Sequence, residues 1–299
     1  MPSLFINQLT TLDFSYLCHE RGLVGETWIV DAVLTGDLNE QGMIFDFGHV
    51  KKQIKMAIDA IADHRLLVPA TNPSIDISST NEQLSVQLRS SRVGHIECKA
   101  PAEAIFLVMA DAITTSTVTP VLEQALLDIL PPNTTGVSLK LYSEAINGHY
   151  YHYSHGLKKH DGDCQRIAHG HRSKILISAN GKHAPKLEAE WAKRWRDIYI
   201  ATQADLLETV SKDGCTYNRF GYSAAQGYFE LTIASRSCHL IHTDSTVELL
   251  AEHVAHQLAS ENPGQHIQVV AYEGFNKGAI SEALLNKTKK TLTTKHQHS

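Results

Sequence analysis

Apolar positions along the first 64 residues predict two strands followed by a helix. Residues 10–17 and 28–36 alternate apolar and polar side chains, which is the period of a half-buried strand. Residues 47–64 change to helical spacing, with an apolar side chain every three or four positions. These helical positions are Val50, Ile54, Ile58 and Ile61.

The second part of the chain repeats this order weakly. Residues 83–103 and 227–248 each contain an alternating strand, a turn, a short strand that ends in a histidine and hydrophobic pair, and a helix start with glutamate. Helical apolar spacing then follows in residues 104–130 and 249–258. This similarity indicates two units of one kind in the chain.

Strands are also predicted at the ends of each unit, so the plan is strand, strand, helix, helix, strand, strand, used twice. In the second unit this requires strands at 149–157 and 171–178 and a helix at 186–200. The β-rich runs 137–146 and 266–275 close the two units. The pattern therefore predicts an α+β fold.

We expect half one to span residues 1–146, half two residues 147–285, and a polar, solvated tail residues 286–299. At the junction, Asn147-Gly148 stands between two alternating strands, which is the strongest short-range hairpin signal. The last strand of half one should thus pair with the first strand of half two in one antiparallel sheet. The first strand of half one and the last strand of half two would remain open edges that favour homo-oligomers.

Composition narrows the function classes. Hydrophobic residues make up 42% of the 299 residues, and no apolar run is long enough to span a bilayer, so we expect no membrane partner. The start MPSLFINQLT lacks the pattern of an export signal, and the expected location is cytoplasmic. A net charge of −5 disfavours nucleic-acid binding, and five cysteines without CxxC spacing disfavour a disulfide framework.

Histidine is the exception to this ordinary composition: six of the 18 histidines fall between residues 149 and 171. His169 and His171 are two apart at a strand start, so both imidazoles lie on one face. His155 is on the preceding strand. Three convergent histidines leave a fourth position open, as in a catalytic Zn²⁺ site. Cys164, in the intervening loop, would be a nucleophile or base of lowered pKa, or a fourth ligand that closes the site.

The segment from His155 through Cys164 to His169-Gly170-His171 resembles a signature of the 6-pyruvoyl-tetrahydropterin synthase and 6-carboxytetrahydropterin synthase family. A second family motif, GxxxDFxxxK with a following helix and Asp-His, is present in half one. A third is Tyr272-Glu273 at the end of a strand. The residues of the second motif are Gly42, Asp46, Phe47, Lys51, Asp63 and His64.

The resemblance implies two tandem tunnelling-fold (T-fold) units, each an antiparallel four-stranded sheet with helices on one face, that assemble into barrels. A barrel in which the two halves alternate needs an even number of units. The simplest closure is therefore a homo-oligomer with two chains per barrel.

The two halves lack complementary parts of the family pattern. Half one has Val24-Gly25-Glu26 where the family has His-Gly-His, and half two lacks both GxxxDF and Asp-His. We therefore expect one composite site per chain, with Asp63 and His64 from half one and Cys164 and the zinc ligands from half two. The reverse interface should be inactive. The sequence does not decide whether the composite site forms within a chain or between chains.

The resemblance implies a role for each site residue. His155, His169 and His171 would hold Zn²⁺, Cys164 would move protons, and Asp63 would orient His64 as a relay. Glu273 would anchor the pterin ring, with Glu144 as the rival anchor. Thr246 and Glu248 would contact the pterin, or else cap a helix. Arg166 would meet a triphosphate, as could Lys158, Lys159 and Arg172.

The implied activity is that of a lyase acting on 7,8-dihydroneopterin triphosphate. The product would be 6-carboxytetrahydropterin, on the queuosine-type route, or 6-pyruvoyltetrahydropterin, and the carboxy product is slightly favoured. Cys164 argues against the family branch that carries glutamate there. A non-catalytic protein that binds pterins or purines and a generic zinc hydrolase are the alternatives.

Overall fold

The computed structural model describes residues 1–80 and 83–285, which contain four α-helices and eighteen strands. The predicted α+β class is confirmed. In half one the elements are β1 (Ser3–Cys18), β2 (Gly22–Gly36), α1 (Phe47–Ala62), β3 (Leu66–Pro69), β4 (Ile75–Thr80), β5 (Gln83–Ser90), β6 (Gly94–Pro101), β7 (Ile105–Val108), α2 (Thr115–Leu127) and β8 (Thr134–Tyr142). In half two they are β9 (Tyr150–His155), β10 (His169–Ala179), β11 (Lys182–His183), α3 (Pro185–Arg194), β12 (Ile198–Thr202), β13 (Leu206–Lys212), β14 (Cys215–Ala224), β15 (Gly227–Ala234), β16 (Cys238–Ile241), α4 (Val247–Glu261), β17 (His266–Tyr272) and β18 (Gly278–Leu284).

Each half builds a sheet of the same strand order and covers it with two helices. The first sheet runs β7-β3-β1-β2-β8, and the second runs β16-β12-β9-β10-β17-β18 with β11 beside β10. Apolar faces of α1 and α2 pack on the first sheet, and those of α3 and α4 pack on the second. The prediction of four strands per sheet was therefore wrong, whereas the boundaries at 146/147 and 285/286 stay predictions.

The strands that the sequence did not predict are short and overlap segments of helical apolar spacing. The helix predicted from residue 104 begins only at Thr115, because Ile105–Val108 is a strand parallel to β3. The helix predicted over residues 186–200 ends at Arg194, and Ile198–Thr202 forms β12. Four or five buried apolar residues fit either structure, and here pairing with a neighbouring strand decides.

The halves share a third sheet, of order β13-β14-β15-β6-β5-β4, in which β6 pairs with β15. The predicted hairpin at Asn147-Gly148 was wrong. Strand β9 is bonded to β10 on one side and to β12 on the other, so β8 has no free edge of β9 to pair with. A continuous antiparallel sheet does join the halves, but at Leu231 opposite Cys98.

The predicted open edges were also wrong. Strand β1 lies between β2 and β3, and β17 lies between β10 and β18. Among the described residues, the outer strands of the two helix-covered sheets are β7, β8, β16 and β18. In the same residues, no helix is long and apolar enough to cross a membrane. The tail at 286–299 lies outside the described residues.

The hairpins β1-β2 and β9-β10 have equivalent registers and cross at their equivalent points. Ser15 pairs with Gly25 in the first hairpin, and Ser154 pairs with Gly170 in the second. The two serine hydroxyls hydrogen-bond each other at 2.7 Å. A Cβ on Gly170 would lie 2.8 Å from the Cα of Gly25, and a Cβ on Gly25 would overlap the carbonyl oxygen of Tyr153. Only glycine allows the halves to come this close.

We predict that Gly25→Ala destabilises the fold by about 3 kcal/mol or more, because backbone atoms of β9 and β10 would have to move apart. Urea unfolding checks this. Gly136→Ala, in β8, is the matched control, since the nearest atom to its added Cβ is 3.8 Å away. Equal stability of both variants would contradict the constraint.

Candidate metal centre and active site

The three predicted histidines point towards one another. In each of them one ring nitrogen, Nδ1, lies beside an oxygen atom of the protein. His155 and His169 stand opposite each other on β9 and β10, and His171 follows on the same face. Nδ1 of His155 lies 3.0 Å from both the carbonyl and the hydroxyl oxygen of Ser245, and Nδ1 of His169 lies 2.9 Å from the carbonyl oxygen of Arg166. These contacts fix the tautomer with Nε2 free.

The third histidine is held from the other half of the chain. Nδ1 of His171 lies 3.1 Å from Oδ1 of Asp13, on β1, though without hydrogen-bond geometry. The same oxygen accepts a hydrogen bond from the Thr27 hydroxyl at 2.6 Å. Burial alone would raise the pKa of Asp13, but His171, Lys277 and Thr27 together hold it well below its usual range. Asp13 is therefore a buried carboxylate beside an imidazole.

The histidine triad fits a metal ion. One ligand nitrogen from each of His155, His169 and His171 lies within 4.8 Å of the others, and all three residues are buried. Nε2 of His155 and Nε2 of His171 have no hydrogen-bond partner in the described part of the chain. Buried polar atoms are normally paired, and a cation bound by three Nε2 atoms would satisfy them. Three neutral imidazoles are the donor set of catalytic Zn²⁺.

Asp63, His64 and Cys164 meet beside this triad within one chain. Asp63 accepts the backbone N–H of Asp13 at 2.8 Å, and its other oxygen lies 2.8 Å from Nδ1 of His64. A ring nitrogen of His64, Sγ of Cys164 and a ring nitrogen of His169 lie within 4.8 Å of one another. Residues of the two halves thus form one group, as the complementary motifs predict.

His64 is held in an unusual backbone conformation and has a strongly perturbed acidity. Its φ is 53°, in the left-handed region, and its N–H donates to the carbonyl of Asp13 at 2.7 Å. Burial would lower the pKa of His64, but the hydrogen bond to Asp63 and the proximity of Cys164 raise it to about 11. The imidazole is therefore a proton donor at neutral pH.

Glu273 lies close to the metal ligands and has a basic partner. One carboxylate oxygen is 3.9 Å from Nε2 of His171, and the other is 3.6 Å from Nζ of Lys277. Lys277 also lies 3.2 Å from Asp13. The rival Glu144 instead pairs with Lys174 at 2.7 Å, and Lys174 is on the opposite face of β10 from His171. Of the two glutamates, Glu273 is the one at the triad.

The remaining predicted substrate residues are engaged elsewhere or exposed. Thr246 is the N-cap of α4, and its hydroxyl accepts from the N–H of Leu249. Glu248 is exposed in the first turn of that helix. Arg166 is buried, bonded to Asp163 and Gln226, with NH1 3.5 Å from the carbonyl oxygens of Asp63 and His64. Their substrate roles stay predictions.

The other basic side chains near the triad all have partners. Lys158 pairs with Asp205, Lys159 with Asp244 and Arg172 with the carbonyl of Glu144. Arg166, however, also lines a cleft of about 730 Å³ between the two halves, together with Glu103, Gln226 and Tyr228. The guanidinium of Arg166 joins this cleft to Asp63 and His64, whose carbonyl oxygens lie 3.5 Å from it.

The equivalent position in the other half carries different chemistry. By register, Tyr16, Val24 and Glu26 stand where half two has His155, His169 and His171. Arg21 bonds Asp197 at 2.5 Å and 3.1 Å and the Tyr16 hydroxyl at 3.1 Å. An internal ion pair thus occupies the region, and the expectation that this interface binds no zinc stays a prediction.

Sequence reasoning missed Asp13, Ser245 and Lys277. Ser245 fixes His155, Asp13 lies beside His171, and Lys277 pairs with both Asp13 and Glu273. Lys277 lies in the same segment as the Tyr-Glu motif, which is the only sequence signal that could have suggested it. His152 lies buried at the junction of the halves, where its Nδ1 donates to the Gly25 carbonyl at 2.7 Å.

Residues 16–97 match the family model described as 6-pyruvoyl tetrahydropterin synthase. The resemblance stated from the sequence is thus confirmed for this segment, which includes Asp63 and His64. The chain is also 39% identical over 57 residues to a protein of Pyrococcus horikoshii named "Putative 6-carboxy-5,6,7,8-tetrahydropterin synthase". That match covers 19% of this chain and spans only 33% of the length of the relative.

Two solved structures show a weak likeness. The 6-pyruvoyltetrahydropterin synthase of Plasmodium vivax is 13% identical, with a TM-score of 0.39 over 49% of this chain and 93% of that one. The enzyme of Plasmodium falciparum is 12% identical, with a TM-score of 0.38 over 48% of this chain and 91% of that one.

We predict that Asp13→Asn lowers the affinity for Zn²⁺ about 10- to 100-fold, because the amide no longer supports the basicity of His171. Competition with a chelating indicator measures the affinity. Asp31→Asn is the control, since Asp31 accepts from Gln8 and Tyr142 and touches none of the three histidines. Unchanged affinity in Asp13→Asn would remove this carboxylate from the metal centre.

We predict that Glu26→Gln stabilises the protein at pH 8 by about 1–3 kcal/mol and changes little at pH 4. Burial raises the pKa of Glu26 from 4.5 to about 7 against the opposing Thr27 N–H and Arg172. The unfolded chain therefore loses the Glu26 proton near pH 4.5, whereas the folded protein keeps it until near pH 7. The free energy of unfolding falls as the pH rises through this range, and the Glu26→Gln variant would not show this loss. Urea unfolding at both pH values measures the difference, and an equal effect at both would contradict this explanation.

Proposed function

We propose that this protein is a zinc-dependent pterin synthase that acts on 7,8-dihydroneopterin triphosphate. The observation that carries the proposal is the meeting of Cys164 and three histidines of half two with the Asp63–His64 pair of half one. A metal triad, a thiol and an oriented imidazole are the set needed to move protons beside activated hydroxyls. The match of residues 16–97 to the synthase family supports the same reaction class.

His155, His169 and His171 would hold the metal, and a bound zinc ion supplies Lewis-acid activation of the vicinal hydroxyls of the dihydropterin side chain. Cys164 would take a proton from the side-chain carbon. His64 would relay or donate that proton in the same step. Asp63 keeps the imidazole oriented and stabilises its charged form, since it binds Nδ1 at 2.8 Å.

Glu273 orients the ring in this proposal. A carboxylate that accepts two N–H bonds from the 2-amino-pyrimidinone edge fixes one face of the pterin. Its position 3.9 Å from His171 supports this role over Glu144, which is paired with Lys174. Lys277, 3.6 Å from the carboxylate, would help to hold Glu273 in place. The cleft lined by Arg166 and Gln226 is where the triphosphate would lie.

We propose 6-carboxytetrahydropterin as the product, with 6-pyruvoyltetrahydropterin as the alternative. The name of the Pyrococcus horikoshii relative supports the carboxy product. The two halves are proposed as tandem T-fold units, and the repeated sheet order supports this. Barrel closure by two chains would use the outer strands β8 and β18, where Ile280 is 67% exposed. The cytoplasmic location stays a prediction.

We predict that zinc-loaded protein converts 7,8-dihydroneopterin triphosphate to the carboxy product, identified by mass, and that Cys164→Ala lowers kcat at least 100-fold. Cys215→Ala is the control, since Cys215 is partly exposed on β14, outside the triad. Asp63→Asn should also lower kcat, with a smaller effect on KM.

Binding of the dihydropterin without turnover, in both the parent and the Cys164→Ala protein, would replace the proposal with a non-catalytic pterin-binding function. Turnover of a simple ester or phosphodiester, without action on the dihydropterin, would replace it with a zinc hydrolase.

A further inference from the structure

A second histidine cluster lies outside the active-site triad, between strand β16 and helix α4. His239, on β16, and His253, on α4, face each other with their Nε2 atoms 2.8 Å apart. His242 and His256 line the same depression of about 450 Å³, together with Glu252. None of these residues takes part in the proposed pterin chemistry.

The geometry of the pair suits a shared cation. Two ligand nitrogens of a tetrahedral ion with Zn–N bonds of about 2.0–2.1 Å stand about 3.3 Å apart, so the two rings need to separate by only about 0.5 Å. In the absence of an ion, the two Nε2 atoms share a single proton. A cation bound between them would accept the lone pairs of both Nε2 atoms.

The surroundings hold the two rings in place and keep them uncharged. Trp195 stacks on His253 at an interplanar angle of 11° and meets the edge of His239 at 63°. Burial, the neighbouring His253 and Arg194 lower the pKa of His239 to about 4. Neutral imidazole is the form that ligates a metal.

Further histidines line the same depression, and a side-chain rotation would bring one of them to the pair as a third ligand. On α4, His253 and His256 are three residues apart and so project from neighbouring positions on one face. Nε2 of His256 lies 3.8 Å from the carboxylate of Glu252, which is the kind of partner that supports a ligating imidazole. His242 follows β16 directly and approaches from the strand side.

We propose that His239 and His253 form a second transition-metal site, which takes a borderline cation of the Zn²⁺, Co²⁺ or Ni²⁺ class and is completed by His256 or His242. Imidazole nitrogens bind cations of this class, whereas Mg²⁺ and Ca²⁺ prefer oxygen ligands. The site is independent of the pterin reaction.

The test measures the number of Co²⁺ ions bound per chain after metal-free, full-length protein has been dialysed against Co²⁺. The double variant His239→Gln, His253→Gln should bind one ion fewer than the parent, because glutamine is a poor metal ligand. Glutamine is chosen because it keeps the approximate size and hydrogen bonding of the pair. His169→Ala with His171→Ala should also lose one ion, and it should be a different one. The tail histidines His296 and His298 are the same in every variant, so the difference between variants decides.

The second readout is tryptophan fluorescence. Ni²⁺ bound at the pair should quench Trp195, which lies against His253, in the parent and in the variant of His169 and His171. Quenching should disappear in the double glutamine variant and persist in His266→Ala, a control in which a half-exposed histidine on β17 is removed.

Retention of the cobalt ion at the triad reports that the glutamine variant is folded, since His155 of the triad contacts Ser245 in the segment that follows β16. An unchanged ion count, or unchanged Ni²⁺ quenching, in that variant would overturn the proposal. The pair would then be a hydrogen bond that packs α4 against β16.

Discussion

The close crossing of the two central hairpins is the constraint on which the rest of the structure depends. Ser15 and Ser154 bond each other at 2.7 Å, and Gly25 and Gly170 leave no room for a side chain. Because the backbones touch there, residues one or two positions away on each hairpin also meet. Asp13 reaches His171 in this way, and Asp13 in turn fixes Asp63 through its N–H and His64 through its carbonyl. One steric contact thus positions the acid, the relay and the metal ligands together.

The sequence was most informative where chemistry and spacing are local. Two histidines alternating on one strand, and a cysteine in the loop before them, are readable without a structure. The sequence was least informative for short parallel strands such as Ile105–Val108 and Ile198–Thr202, whose apolar runs continue a helical pattern and are set by a neighbouring strand. The Asn147-Gly148 hairpin failed for the same reason, since both edges of β9 were already occupied. Asp13 and Ser245 were not predictable because their contacts join distant segments of the chain.

The two equivalent positions differ in chemistry, although the same interface between the halves surrounds them. In half two, three buried imidazoles converge with ligand nitrogens within 4.8 Å of one another. In half one, the equivalent region contains the Arg21–Asp197 ion pair, the Tyr16 hydroxyl and the protonatable Glu26. With the proposed metal ion bound, both arrangements would place positive charge between the halves, one through an exchangeable ion and the other through a guanidinium of the chain. The chain therefore keeps a symmetric scaffold while its chemistry is one-sided.

The contact of Asp13 with His171 has a thermodynamic consequence. A metal ion held by half two would be stabilised by a carboxylate of half one, so the free energies of metal binding and of docking the halves would be linked. Any change that separates β1 from β10 must weaken the hold on the ion, and the bound ion must resist that separation. The metal content of a purified sample is then a measure of how completely the two halves are docked.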